Sequence, residues 1–269
     1  MADKGGGEHR MLFDVRGRRK RVIQVIYTGL AVLMAGGLVL FGIGGEVSGG
    51  LLDGLGIGNG SAGDSTLGDQ ADRLDEKLQR RPNDEALLLA ATRTRISYGN
   101  TLVEVDASTG QQNVTGDARE QYETAADTWA RYLRVAEGQK SAGVALLVAN
   151  AFFTLAQSDT TTAAADADIR AAARAQRIVA EQRPNVGTLS TLATFEYYSL
   201  DFEAGDRAAK QAEQAATSPS QRKLVKQQLA ATRKQAKRYQ KQVKAFEKAN
   251  KGQERQRLEN PFGGLGGGS

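Results

Sequence analysis

Carboxylates are the only acid–base groups this sequence offers in number: 31 Asp and Glu stand against a single histidine, His9, and no cysteine. Without cysteine there is no thiolate nucleophile, no disulfide framework and no thiolate metal site. With imidazole confined to residue 9, the long remainder of the chain has no His general base and no His metal ligand. The patterns GxxxxGK[ST], GxSxG and HExxH do not occur. Two carboxylates flanking a substrate can still hydrolyse a glycosidic bond. Here, however, Asp and Glu are spread along segments of helical periodicity, where a solvated face accounts for them. The inventory points to a chain that binds and does not catalyse, with no cofactor and no metal.

Basic side chains are the other chemistry on offer. The net charge of +5 conceals an asymmetry: residues 1–21 carry +4, residues 22–221 carry −9, and residues 222–257 carry +11. Within the last group Lys237, Arg238, Lys241, Lys244, Lys248 and Lys251 make a candidate basic surface. A solvated helix face is its plainest use; docking on anionic lipid headgroups or on an acidic polymer is its functional one.

The elements that must position these groups begin with residues 22–45, VIQVIYTGLAVLMAGGLVLFGIGG, which hold no charged side chain and follow Arg18, Arg19, Lys20 and Arg21. As a helix this run would be about 36 Å long, enough to cross a hydrocarbon core of roughly 30 Å. A cleaved signal peptide would have an apolar region of about 7–15 residues and an A-x-A-like site, which GGEVSGG does not supply. Basic residues lie before the run and Glu46, Asp53, Asp64, Asp69 and Asp72 after it, so a single-pass anchor with a cytoplasmic N-terminus is expected, exporting the bulk of the chain. That topology disfavours nucleic acid as a partner for the basic end. The expected organisation is a basic cytoplasmic tail (1–21), a transmembrane helix (22–45), a Gly-rich linker (46–66), a helical domain (67–219), a basic helix (220–250) and a disordered tail (251–269).

Spacing and breakers predict helices over 67–81, 84–98, 117–137, 141–157, 164–182, 186–199, 202–216 and 220–250, an all-α domain. GNTLVEVDASTGQQNVTG (99–116) interrupts them with strand-like alternation and turn residues, as a small hairpin or ordered loop would. SDTTTAAADAD (158–168) reads as a second, low-complexity loop. In the last helix Val225, Leu229, Thr232, Ala236, Tyr239, Val243 and Phe246 are spaced 4, 3, 4, 3, 4, 3, a thin heptad seam.

Helix pairs punctuated by Pro82, Pro184 and Pro219 call for a test of periodicity. Fifteen residues before Pro184 stands Ile169, and positions +3, +7 and +10 from it, Ala172, Gln176 and Val179, should face the preceding helix. The corresponding positions counted from Leu67 are Gln70, Leu74 and Lys77. Residues 186–219, VGTLSTLATFEYYSLDFEAGDRAAKQAEQAATSP, resemble a tetratricopeptide repeat, with Leu189, Leu192 and Ala193 in the first helix, Asp201-Phe202 at the turn, Ala209 and Ala212 in the second, and Pro219 as the stop. Gly205 departs from the pattern by replacing the usual inner alanine. Weaker copies start at PNDEALLLAA and GVALLVANAFFTLA. An irregular helical bundle is the alternative, since it too must stack amphipathic helices.

The resemblance implies a degenerate helical-hairpin array closed by the C-terminal helix, with first helices lining a groove for an extended peptide or protein partner. Transferred by position, that groove comprises Asn150, Phe153, Thr194, Tyr197 and Tyr198. The layout of anchor, tether and repeats is also similar to membrane-bound accessory subunits of the bacterial secretion translocon. A rival reading is an envelope scaffold whose basic helix holds anionic lipid or acidic polymer.

Overall fold

A computed structural model describes residues 62–105, 112–158 and 162–259. The expected transmembrane helix, its basic flank, most of the linker and the tail after Glu259 lie outside the described residues. Within the described residues no helix is long and apolar enough to cross a membrane.

Among the described residues eight helices and one short hairpin follow in order: α1 (Ala62–Arg80), α2 (Glu85–Thr101), β1 (Val103–Val105), β2 (Gln112–Val114), α3 (Gly116–Val135), α4 (Ala142–Ser158), α5 (Thr162–Gln182), α6 (Val186–Tyr198), α7 (Phe202–Ala215) and α8 (Pro219–Glu259). The all-α expectation holds, and the 99–116 segment does contain a hairpin. Its strands pair antiparallel, with Val103 opposite Val114 and Val105 opposite Gln112. Three expected boundaries are corrected. α8 runs on to Glu259, nine residues into the expected disordered tail of 251–269. α1 starts at Ala62, inside the predicted linker, and α5 takes in Ala163–Asp168, expected as part of a low-complexity loop. Three consecutive alanines outweigh the adjacent Thr and Asp in propensity, and neighbouring helices supply the rest.

Starts are set by short polar side chains that accept from the first free backbone N–H groups. Asp84 caps α2 through Leu87 N at 3.0 Å, Thr115 caps α3 through Ala118 N at 3.0 Å, and Asp201 caps α7 through Ala204 N at 2.9 Å. Asn185 and Thr188 close a reciprocal capping box on α6. Pro219 does not stop α7; it is the first residue of α8, where a missing N–H costs nothing.

Each helix folds back on its predecessor in pairs, α2 with α3, α4 with α5, and α6 with α7, while α1 covers α2 and α8 covers α6 and α7. Two apolar clusters result. Leu74, Leu78, Leu88, Ile96, Tyr122, Trp129, Tyr132, Val144, Val148 and Val179 form the first, and Ile169, Leu189, Leu192, Tyr197, Tyr198, Ala209, Ala212, Val225 and Leu229 the second. Phe153 of α4 and Phe195 of α6 join them, with ring centroids 5.4 Å apart. Of the register counted from Ile169, Ala172 and Val179 are buried in the first cluster, while Gln176 is buried but donates to Thr188 O of α6, the following helix. The register counted from Leu67 is not met. α1 buries Ala71, Leu74 and Leu78 and leaves Gln70 and Lys77 exposed, a face turned by one residue so that apolar side chains meet α2.

Two tyrosine–glycine contacts set the spacing within pairs. A Cβ on Gly205 would stand 2.4 Å from the Tyr197 ring, and one on Gly99 would stand 2.8 Å from the Tyr122 ring. In both, the tyrosine hydroxyl donates to the side chain following the glycine: Tyr197 to Asp206 at 2.9 Å and Tyr122 to Asn100 at 2.7 Å. The departure of Gly205 from the repeat pattern thus has a steric cause. Gly205→Ala should lower unfolding free energy by about 1–3 kcal/mol, because the pinned ring cannot yield. Gly143→Ala, with nothing within 4 Å of the added methyl, should be neutral or gain up to about 1 kcal/mol. Urea titrations followed by circular dichroism measure both.

Candidate functional site

The residues expected to line a groove separate into two groups. Asn150 is exposed and Phe153 and Thr194 are half-buried on the accessible sides of α4 and α6. Tyr197 and Tyr198 are 2% and 4% exposed, and they belong to the second core cluster. They offer no surface to a partner. The reason is local: Tyr197 fills the hollow left by Gly205, and Tyr198 packs beneath Tyr239 of α8, with ring centroids 6.5 Å apart. Aromatic capture across that face loses its two strongest anchors.

A different depression carries more recognition chemistry. A cleft of about 860 Å³ lies between α5 and α7 with α6 as its floor. Ala180, Leu189, Leu192, Ala204 and Ala208 give it an apolar lining of mostly small side chains. Arg177, Glu181, Asp201, Arg207, Gln211 and Gln214 give it a polar rim with both signs of charge. Glu196 is 3% exposed in its wall and is ion-paired and hydrogen-bonded to Arg177. Arg177 supplies the opposite charge and the hydrogen bond that a carboxylate buried to this degree requires. Sequence reasoning missed the cleft, because its residues come singly from three helices. The nearest signal is the alanine run Ala204, Ala208, Ala212 along one side of α7.

The residues of the expected basic surface lie on α8. Lys237, Arg238, Lys241, Lys244 and Lys248 are exposed along α8. Lys251 continues the helix, but its side chain lies outside the described ones. α8 is held by the seam residues Val225, Leu229, Ala236 and Val243, all buried, with Thr232 and Tyr239 half-buried. Phe246, the last seam residue, has a side chain outside the described ones.

Polar contacts lock this helix in register. Arg233 grips Asp206 of α7 through two bonds, Nε to Oδ1 at 2.7 Å and Nη2 to Oδ2 at 2.8 Å. Arg233 and Lys237 also stand over the Phe202 ring, 5.9 and 5.8 Å from its centroid. Further along α8, the Tyr239 hydroxyl donates to Asp166 of α5 at 3.0 Å. The hydrogen bond from Arg233 holds the Asp206 carboxyl below its ordinary range. Burial raises Tyr239, with Asp166 adding to it, and burial alone pushes Tyr122 and Tyr198 up to about 12. Among the described residues no group of three or more His, Cys, Asp or Glu is arranged to hold a metal ion.

These shifts fix the pH dependence. Asp206 has a lowered folded-state value, so its contribution is complete above the unfolded value of about 3.9 and is lost as pH falls through the folded one. Tyrosines with raised values stabilise below about 10 and lose that contribution as pH rises from there towards 12. Thermal stability should therefore fall at both ends, and Asp206→Asn should flatten the acid limb while speeding amide exchange in α8. An unchanged acid limb in that variant would remove the Arg233–Asp206 latch from the account. Compared with known proteins, the chain matches no protein-family model, no curated protein and no solved structure.

Proposed function

We propose that this chain is a non-enzymatic, membrane-anchored helical-repeat module that binds a segment of another protein on the extracytoplasmic side. The proposed anchor is the uncharged run 22–45 with its basic flank, and the array is tetratricopeptide-like in the sense of the repeat pattern at 186–219. By its layout, the module serves protein export or envelope assembly.

One observation carries the binding reading: the cleft between α5 and α7 combines an apolar floor with a rim of mixed charge. A small anion or cation would call for a rim of one sign. An amphipathic protein helix presents apolar side chains at i, i+3, i+4 and i+7 between polar flanks, which is the complement of this cleft. The alanines of its sides, Ala180 of α5 and Ala204 and Ala208 of α7, leave depth for a partner's larger side chains. The accessible side of α4 and α6, with Asn150, Phe153 and Thr194, is the site the repeat resemblance assigns by position. It is less apolar, because its tyrosines are consumed by the core.

A photo-crosslinking residue at Gln211, in the full chain in its own membrane, should capture a protein partner. Gln211→Trp should weaken that capture about tenfold or more, roughly 1.4 kcal/mol, with helical circular dichroism unchanged. Protease added outside intact spheroplasts should remove the captured array. Capture from Asn150 and Thr194 but not from Gln211 would move the site to the other face, and an array protected from external protease would overturn the topology.

A further inference from the structure

The cations of α8 are arranged more narrowly than a solvated face requires. At about 100° per residue, twelve of the 13 Lys and Arg between 222 and 257 fall within an arc of about 160°, and Arg257 alone falls outside it. In steps of three or four residues the arc runs Arg222, Lys226, Ala230, Arg233, Lys237, Lys241, Lys244 and Lys248, and the sequence continues it at Lys251 and Arg255. Ala230 is the one uncharged step in that series. Glu247 and Glu254 fall on the seam side of the wheel, and the single acid on the arc is Glu259, the last helical residue. The buried seam is centred roughly 110° away round the helix. Packing on α6 and α7 leaves most of the arc facing solvent; Arg222, Arg233 and Lys237 along its α7 side reach Glu213 O, Asp206 and the Phe202 ring. Lys226, Lys244 and Lys248 are exposed and make no ion pair with a carboxylate among the described residues, and Lys237 is exposed with its charge near Asp206 and Phe202. From Arg222 to Lys248 the arc runs straight for about 39 Å at ~1.5 Å per residue.

We infer that this arc lays α8 against the anionic lipid headgroups of the membrane that holds the chain, by charge alone and without insertion. Three features favour a lipid plane over other polyanions. Between the cations stand Gln227, Ala230, Gln240 and Ala245, with no aromatic side chain to stack on a base. No large apolar side chain lies on the arc between Arg222 and Lys248 either, so there is nothing to wedge into acyl chains; the only exposed large hydrophobic side chain among the described residues is Leu224, off the arc. The array behind α8 is acidic, net −7 over residues 62–218, so an anionic plane attracts one side of the domain and repels the other. That polarity fixes an orientation, which a free polymer would not.

The strength of this docking rests on the anchor reading. On that reading residues 46–61 serve as a Gly-rich tether, for which a flexible chain of that length would have an r.m.s. span of roughly 20–24 Å. Confinement of that kind gives an effective concentration in about the millimolar range, so a weak, salt-sensitive attraction is enough. Docking in this way would set which side of the array faces a partner arriving along the membrane.

The absence of native cysteine makes the test direct. Ala230→Cys on the arc, an exposed position, and Asn150→Cys on α4 are each labelled with a fluorophore in the full chain, reconstituted into nanodiscs that contain a headgroup-bound quencher. Quenching at residue 230 should rise several-fold when phosphatidylglycerol joins phosphatidylcholine, fall back at high salt, and fall back in the Lys226, Lys237, Lys244 and Lys248→Gln variant. Quenching at residue 150 should not change. Equal quenching at 230 in neutral and anionic discs would overturn the proposal. So would binding of duplex DNA by the chain in neutral discs without any lipid preference, which would make nucleic acid the occupant. Loss of the chain from neutral discs on carbonate washing would contradict the anchor and not the arc. In that event the labelled chain is added to phosphatidylglycerol vesicles from solution, and the same quenching decides the arc by itself.

Discussion

An amphipathic helix pair cannot bury its apolar face alone, and everything else in this molecule depends on the next pair arriving to cover it. α4 covers α2 and α3, α6 covers α5, and Phe153 against Phe195 joins the two clusters. The series must end somewhere. α1 ends it on one side with Ala71, Leu74 and Leu78, and α8 ends it on the other with Val225, Leu229 and Ala236. Both end helices bury a narrow apolar stripe and turn charge to solvent, as a capping element must.

That requirement also explains why α8 serves two purposes without conflict. Its seam is thin, with Thr232 and Ala236 where a self-associating coil would place larger side chains. Bidentate pairing with Asp206 and the Tyr239–Asp166 bond make up in specificity what the seam lacks in area. With the helix fixed by one narrow stripe, the remainder of its circumference is free to hold a single sign of charge. The same economy shapes the tyrosine–glycine contacts. Tyr197 and Tyr122 bury large rings where the facing residue has no side chain, and each hydroxyl finds a partner one residue further on.

Helix limits were legible because local chemistry writes them. Asp84, Thr115, Asn185 and Asp201 are caps, Pro82 and Pro184 sit between helices, and long alanine-rich stretches leave little choice of state. The buried phase from Ile169 was legible for the same reason, a repeat of about 3.6 residues with one apolar phase, though Gln176 turns to Thr188 of the following helix. The register of α1 was not, since Gln70 and Lys77 share spacing with Leu74 and only contact with α2 decides the phase. Ala163–Asp168 was illegible as helix because Thr and Asp weigh against it locally, while docking to Tyr239 is a long-range event. Recognition surfaces were the least legible. A tyrosine suits a groove and a core equally well until its neighbour is known, and Tyr197 and Tyr198 went to the core through Gly205 and Tyr239. The cleft has no linear pattern, because α5, α6 and α7 each contribute a few residues to it.

The central claim is that stability passes from neighbour to neighbour and that α8 closes the end of the series. Hydrogen exchange on the full chain carrying Leu229→Asp tests it most directly, since that change puts a charge into the buried seam. The account predicts that α6, α7 and α8 lose protection first and most, while α2 and α3, in the other cluster, keep theirs at low denaturant. Equal loss across all eight described helices would show a single cooperative core and would contradict the account.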